Sequence, residues 1–186
     1  MFIQTESTPN PATLKFLPGQ TVIEDGTADF TSAQAAEISP LATRIFGVSG
    51  VSGVFLGRDF VTITKNETTE WDHVKPALLG VIMEHFQSGQ PVMNDNANPS
   101  GHADHNGEDG IVVDQIKELL DSRVRPAVAQ DGGDITFYGF EKGIVYLQMQ
   151  GACAGCPSST MTLKMGIENL LRHYIPEVTE VRPVDQ

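Results

Sequence analysis

Cys153 and Cys156 are the only two thiols in the chain, set in Gly151-Ala152-Cys153-Ala154-Gly155-Cys156-Pro157. A pair this close cannot frame a disulfide-stapled secreted domain, so the spacing points to metal binding or redox chemistry. Pro157 suits the first position of a helix and Ser158, Ser159 and Thr160 suit its first turn, which places the thiols at a helix N-terminus. Unpaired N–H groups and the positive end of the helix dipole are expected to stabilise thiolates there, lowering a cysteine pKa from about 8.5 toward roughly 3.5–7.5. Thiolates are the form that soft metals and iron–sulfur clusters bind.

A bare CxxC leaves three chemistries open: thiol–disulfide exchange, zinc binding and cluster binding. Ala154 and Gly155 carry almost no side chain, and Gly151 and Ala152 continue that smallness, so the backbone can approach a bulky inorganic ligand. Common iron–sulfur clusters take four cysteine thiolates, and two chains pooling their pairs would complete the set. Thioredoxin-type proteins also place such a pair at a helix start. Here, however, the preceding strand reads as part of an antiparallel hairpin, proline follows the second cysteine, and a βαβ setting is not expected. Zinc would need two further ligands, which His102 and His105 could formally provide, but both fall in a polar run that reads as solvated tether. His73, His85 and His173 are isolated on helices and read as surface or packing residues.

The elements that must position the thiols follow from periodicity. Residues 94–110 (NDNANPSGHADHNGEDG) contain no Val, Ile, Leu, Met or Phe and are expected to form a flexible linker, roughly 20–25 Å end to end, between domains 1–93 and 111–186. In the first domain, a strand at Thr13–Leu17 is followed by a short helix capped by Ser39 and opened by Pro40. A hairpin of 51–56 with 60–64 comes next, then a helix over 72–86 with Val74, Leu78, Val81, Ile82 and Phe86 on one face. In the second, a helix from Ile111 is kinked or restarted by Pro126, and a hairpin pairs 135–140 with 144–149. The cysteine loop then leads to a helix burying Leu163, Ile167, Leu170, Leu171 and Tyr174, and a last strand lies within 178–184. The fold class expected is α+β: two small α/β-sandwich-like domains, each with a helix, β-hairpin, helix layout.

Hydrophobic residues at 40% and charged residues at 19% allow a real core and argue against wholesale disorder. A net charge of −12 repels phosphate backbones and disfavours nucleic acid as a partner. There is no apolar run of membrane-spanning length, and Met1-Phe2-Ile3-Gln4-Thr5-Glu6 has neither a basic n-region nor an Arg/Ser-rich character, so an unexported protein without membrane association is expected.

Residues 111–186, through RPAVAQDGGDI, GACAGCPSSTMTLKMGIENLL and IPEV, resemble the C-terminal domain of the NifU-like (Nfu-type) iron–sulfur carriers. Residues 1–93, through QTESTPNPATLKFLPG, are similar to the Nfu N-terminal domain. The resemblance implies a non-enzymatic scaffold or carrier holding a cluster, 4Fe–4S in form, on Cys153 and Cys156 of two subunits. Upstream cluster-assembly proteins and apo target proteins are the implied partners, and the cluster-bound form is a homodimer. Asp131 to Asp134 match the family's DGGD turn, read as shaping the loop. The first domain has no thiol and is implied to serve partner recognition or regulation. A bacterial cytoplasm is the expected location, or the mitochondrial matrix for a processed form. The runner-up reading is a thioredoxin-like dithiol–disulfide oxidoreductase.

Overall fold

The computed structural model describes residues 1–95, 110–155 and 157–184, the side chains of residues 157–159 excepted. It divides into two compact units, Met1–Ser100 and Gly101–Gln186, of mixed α+β structure.

The first unit is built on a five-stranded antiparallel sheet, spatial order β1-β2-β5-β4-β3, from β1 (Gln4–Ser7), β2 (Thr13–Leu17), β3 (Ala28–Phe30), β4 (Val51–Leu56) and β5 (Val61–Lys65). Helices α1 (Pro40–Phe46) and α2 (Trp71–Ser88) contribute Leu41, Ile45, Leu78 and Ile82 to a core shared with Phe16, Leu56 and Ile63. Ser39 caps α1 as expected, its hydroxyl accepting from the Ala42 amide at 3.1 Å. The TPNPAT segment is a built turn: the Thr8 hydroxyl donates to the Asn10 carbonyl at 2.8 Å, and the Asn10 side-chain oxygen accepts from the Ala12 amide at 3.0 Å. Strands β1 and β3 go beyond the expected hairpin and extend it to a full sheet.

Asn94, expected to be the first linker residue, is still tied to the first unit, its amide donating to the Ile38 carbonyl at 2.9 Å. The Ser39 hydroxyl also donates to the Val92 carbonyl at 2.6 Å. Most of the expected linker, residues 96–109, lies outside the described residues.

The second unit opens with α3 (Gly110–Leu119), which widens to a π-helical turn at Leu120–Val124 before α4 (Arg125–Gln130). Pro126 has no N–H for the i−4 carbonyl, so the regular ladder cannot run through it and the turn loosens. Strands β6 (Gly133–Glu141) and β7 (Ile144–Gly151) form the expected hairpin, closed by Lys142 and Gly143 at φ 51° and 80°, the signature of a type I′ turn. Helix α5 (Pro157–Tyr174) follows, then β8 (Glu180–Val184), which pairs with β7 in parallel. β7–α5–β8 is therefore a βαβ unit, contrary to the setting expected from the sequence. The antiparallel hairpin and the parallel crossover share β7, and only the hairpin has a local sequence signal.

The core of this unit joins Ile116, Leu120, Ile135, Phe137, Val145, Leu147, Ile167 and Leu171. Tyr174, expected on the buried face of α5, is 49% exposed, and Ile175 is buried instead. Ile167, Leu171 and Ile175 continue one row at four-residue spacing, which carries the apolar face past the helix end and rotates Tyr174 off it. Tyr174 stacks beneath Arg123, whose guanidinium carbon lies 5.2 Å from the ring centroid.

Candidate functional site

Cys153 stands just beyond the open end of the β6–β7 hairpin, opposite its Lys142-Gly143 turn. Gly133 at the start of β6 pairs with Gly151 at the end of β7, so the DGGD turn and the cysteine loop are neighbours in space. The Ala152 amide donates to the Gly132 carbonyl at 3.2 Å, the Cys153 amide to the Gln150 carbonyl at 3.3 Å, and the Ala154 amide to the Gly151 carbonyl at 3.1 Å. From the other side, the Thr160 hydroxyl in the first turn of α5 donates to the Cys153 carbonyl at 3.1 Å. Strand end, turn and helix start thus hold the Cys153 backbone together.

The packing around the sulfur is close. A β-carbon on Gly133 would run into the Cys153 sulfur and come within 2.8 Å of the Gln150 carbonyl oxygen and 2.9 Å of the Cys153 nitrogen. Gly155, at φ 77°, differs: it is exposed, and a β-carbon there would meet nothing within 4 Å. The loop is packed tightly on its inner side and open at Gly155, where a bulky ligand can approach.

Cys153 is 6% exposed and belongs to the second unit's hydrophobic core. Burial pushes its thiol up to about 12, and the negative charges of Asp131 and Asp134 add to the effect. This reverses the lowering expected from a helix N-terminus. The cysteine sits ahead of the helix, inside the core and beside carboxylates, and desolvation of the thiolate outweighs the helix dipole. In the metal-free chain the thiol is protonated at neutral pH, and a metal bound there would have to displace that proton.

Asp134 is the structural centre of the DGGD turn. Its buried carboxylate receives two hydrogen bonds from Arg125, from Nε at 2.9 Å and Nη2 at 2.8 Å, and accepts a third from the Ile135 amide at 2.8 Å. Arg125 also reaches Asp121 at 3.0 Å. The hydrogen bonds to Asp134 hold the guanidinium above its ordinary value. From sequence alone DGGD reads as a turn, and the fork linking α4 to β6 does not show. Its only local sign was an arginine nine positions before an aspartate across a helix and a turn.

Cys156, His102 and His105 lie outside the described residues. His73 and His173 are exposed, and His85 is buried in the first unit. Among the described residues, no group of three or more His, Cys, Asp or Glu side chains comes together to hold a metal ion. Cys153 offers a sulfur donor and small neighbours, which fit a soft metal or cluster.

Residues 3–89 match the family model described as "Scaffold protein Nfu/NifU N terminal", and residues 116–182 match that of the NifU-like domain. The chain is 54% identical over 185 residues to the mitochondrial NFU1 iron-sulfur cluster scaffold homolog of Drosophila sechellia, covering 99% of this chain and 65% of that protein. It is 52% identical to the Homo sapiens protein of the same name, covering 99% of this chain and 72% of that one. The chain thus spans just under two thirds of the length of the Drosophila relative. A solution structure of a NifU-like protein from Saccharomyces cerevisiae overlaps 52% of this chain and 87% of its own, at 26% identity and a TM-score of 0.47. These named relatives are mitochondrial, so the expected bacterial cytoplasm finds no support among them. No helix among the described residues is long and apolar enough to cross a membrane. With both family models matched in order and identity above one half to relatives along almost its whole length, the chain belongs to the Nfu/NifU scaffold-protein family.

Proposed function

We propose that this chain is an iron–sulfur cluster scaffold and carrier, not an enzyme. Cys153 and Cys156 hold one side of the cluster, the same pair on a second copy holds the other, and the cargo is 4Fe–4S. The chain receives the cluster from upstream assembly proteins and yields it to apo target proteins. The first unit, which has no thiol, serves partner recognition. The observation that carries this reading is the position of Cys153, fixed through its backbone between β7 and α5 in a loop of small residues that is open at Gly155.

The raised proton affinity of Cys153 suits a carrier. Loading requires the thiol to give up its proton, and unloading lets it take the proton back, so the empty state is stable and the cargo is not trapped. The βαβ setting favours the second reading, a dithiol–disulfide oxidoreductase, more than the sequence suggested. The thiol itself argues against it: an attacking cysteine needs a depressed pKa and access, whereas Cys153 is buried and shifted upward.

The test is iron and sulfide analysis with mass in solution on one anaerobic sample. Cluster bound at half an equivalent per chain, in dimers, supports the carrier. A colourless monomer that reduces disulfides refutes it.

A further inference from the structure

Helix α5 leaves the cysteine loop with two large apolar side chains pointing into solvent, Met161 at 65% and Met165 at 59% exposed. They are one helical turn apart, and Thr162, Gly166 and Asn169 complete an exposed stripe without a carboxylate. Two charged side chains of the helix turn toward β8: Lys164 lies 3.9 Å from Glu180, and Glu168 accepts from the Val181 amide at 3.1 Å. Between Pro157 and Ile167, Lys164 is the only charged residue, in a chain of net charge −12.

We infer that the Met161/Met165 stripe of α5 is the protein surface on which a second copy of this chain docks when the two share a cluster. The inference rests on the cluster-sharing reading and adds a surface to it. Met161 and Met165 lie about 6 and 12 Å along the axis from Pro157 at 1.5 Å per residue, and helical side chains lean toward the N-terminus. The stripe therefore leans toward the end of α5 that joins the cysteine loop, and two copies joined at their cysteine loops would bring these first turns close together. Acidic chains repel one another, and a stripe free of carboxylates is where they can touch at least cost.

Its size agrees with a second copy and not with a permanent partner. Stable interfaces use roughly 20–30 residues a side, far more than this stripe offers. Two methionines per copy can orient a dimer whose association comes mainly from metal–sulfur bonds, and they let it separate once the cluster leaves. Methionine, flexible and polarizable, adapts to a contact that is made and broken repeatedly.

The experiment uses the full chain, loaded anaerobically, with sedimentation, iron and sulfide content and circular dichroism measured on the same samples. Met161→Glu/Met165→Glu places four carboxylates across the contact and is expected to raise the dissociation constant of the loaded dimer at least tenfold. Met161→Leu/Met165→Leu is expected to leave it unchanged. Mixing the Glu pair with Met161→Lys/Met165→Lys is expected to restore a mixed dimer, which a surface reserved for recipients would not do. Unchanged dimerisation of the folded Glu pair overturns the inference, even if its delivery to recipients slows. A parent that carries full iron and sulfide as a monomer overturns the shared-cluster reading itself, and the docking surface with it.

Discussion

Gly133 and Cys153 pack so closely that the sulfur occupies the space a β-carbon at position 133 would need. The glycine is required for room, since a single methyl group must displace the thiol, the Gln150 carbonyl or the strand pairing.

Gly133→Ala is accordingly expected to destabilise the second unit by about 1–3 kcal/mol, the usual cost of overpacking, and to lower iron retention by moving Cys153. Thermal unfolding and iron per chain measure the two effects. A variant with parental values for both would show that the loop yields without cost.

The Cys153 thiol gives a pH dependence with a definite sign. Its folded pKa of about 12 lies above the unfolded value, so the folded state holds the proton more tightly. The associated stability is complete below about pH 8.5 and is lost as pH rises toward 12. The stability difference between the parent and Cys153→Ala should shrink across that window in denaturant titrations. In Cys156→Ser, alkylation of Cys153 at pH 7 should be far slower than in the unfolded chain; equal rates would contradict the burial.

Asp134→Ala removes the forked hydrogen bonds from the half-buried guanidinium of Arg125, which keeps Asp121 as a partner, and is expected to cost roughly 1.5–3 kcal/mol. The loss should appear in unfolding of the second unit and leave the first unit's transition in place. Double replacement by apolar residues of similar volume should cost less than the single change.

His85 is buried, and no hydrogen bond of ordinary geometry reaches either ring nitrogen among the described residues, although the Gln90 and Pro91 backbone acts on the ring from nearby. Burial, helped by Arg44, lowers its pKa, so the unfolded chain binds the proton more readily. The His85 contribution to the first unit's stability should therefore be complete above about pH 6.5 and be lost as pH falls through the depressed folded value. His85→Leu should flatten that acid limb of the denaturation curve; an unchanged limb would assign it to other groups.

On the proposed shared-cluster reading, replacing Cys153 or Cys156 with Ser should abolish cluster binding and cluster-dependent dimerisation together, because one change would remove two of four ligands from a symmetric pair. Serine stays protonated near neutral pH and offers a harder donor. Far-ultraviolet circular dichroism should be unchanged while iron and dimer mass fall. A fully iron-loaded dimeric Cys156→Ser chain would point to other ligands.

Much of this was legible in local pattern. The Ser39-Pro40 helix start, both hairpins and the helix after Pro157 rest on caps, turns and periodicity that act within a few residues. What was not legible depends on distant contacts. The parallel pairing of β8 with β7 is decided by how α5 packs back on the sheet, and the burial of Ile175 in place of Tyr174 follows from it. The expected acidification of Cys153 failed for the same reason, since the sequence shows the helix start but not the core and carboxylates around the thiol. The Gly133–Cys153 fit appears only once β6 and β7 are in register.

The last strand carries a further consequence, for aggregation. β8 borders the three-stranded sheet, and an exposed border of unpaired amides and carbonyls invites another chain to add on, without limit, into fibres. Pro183 removes one donor from that border, and Glu180 and Arg182, bonded to each other at 2.9 Å, set charge along it. The chain is thereby discouraged from polymerising through this edge of its sheet.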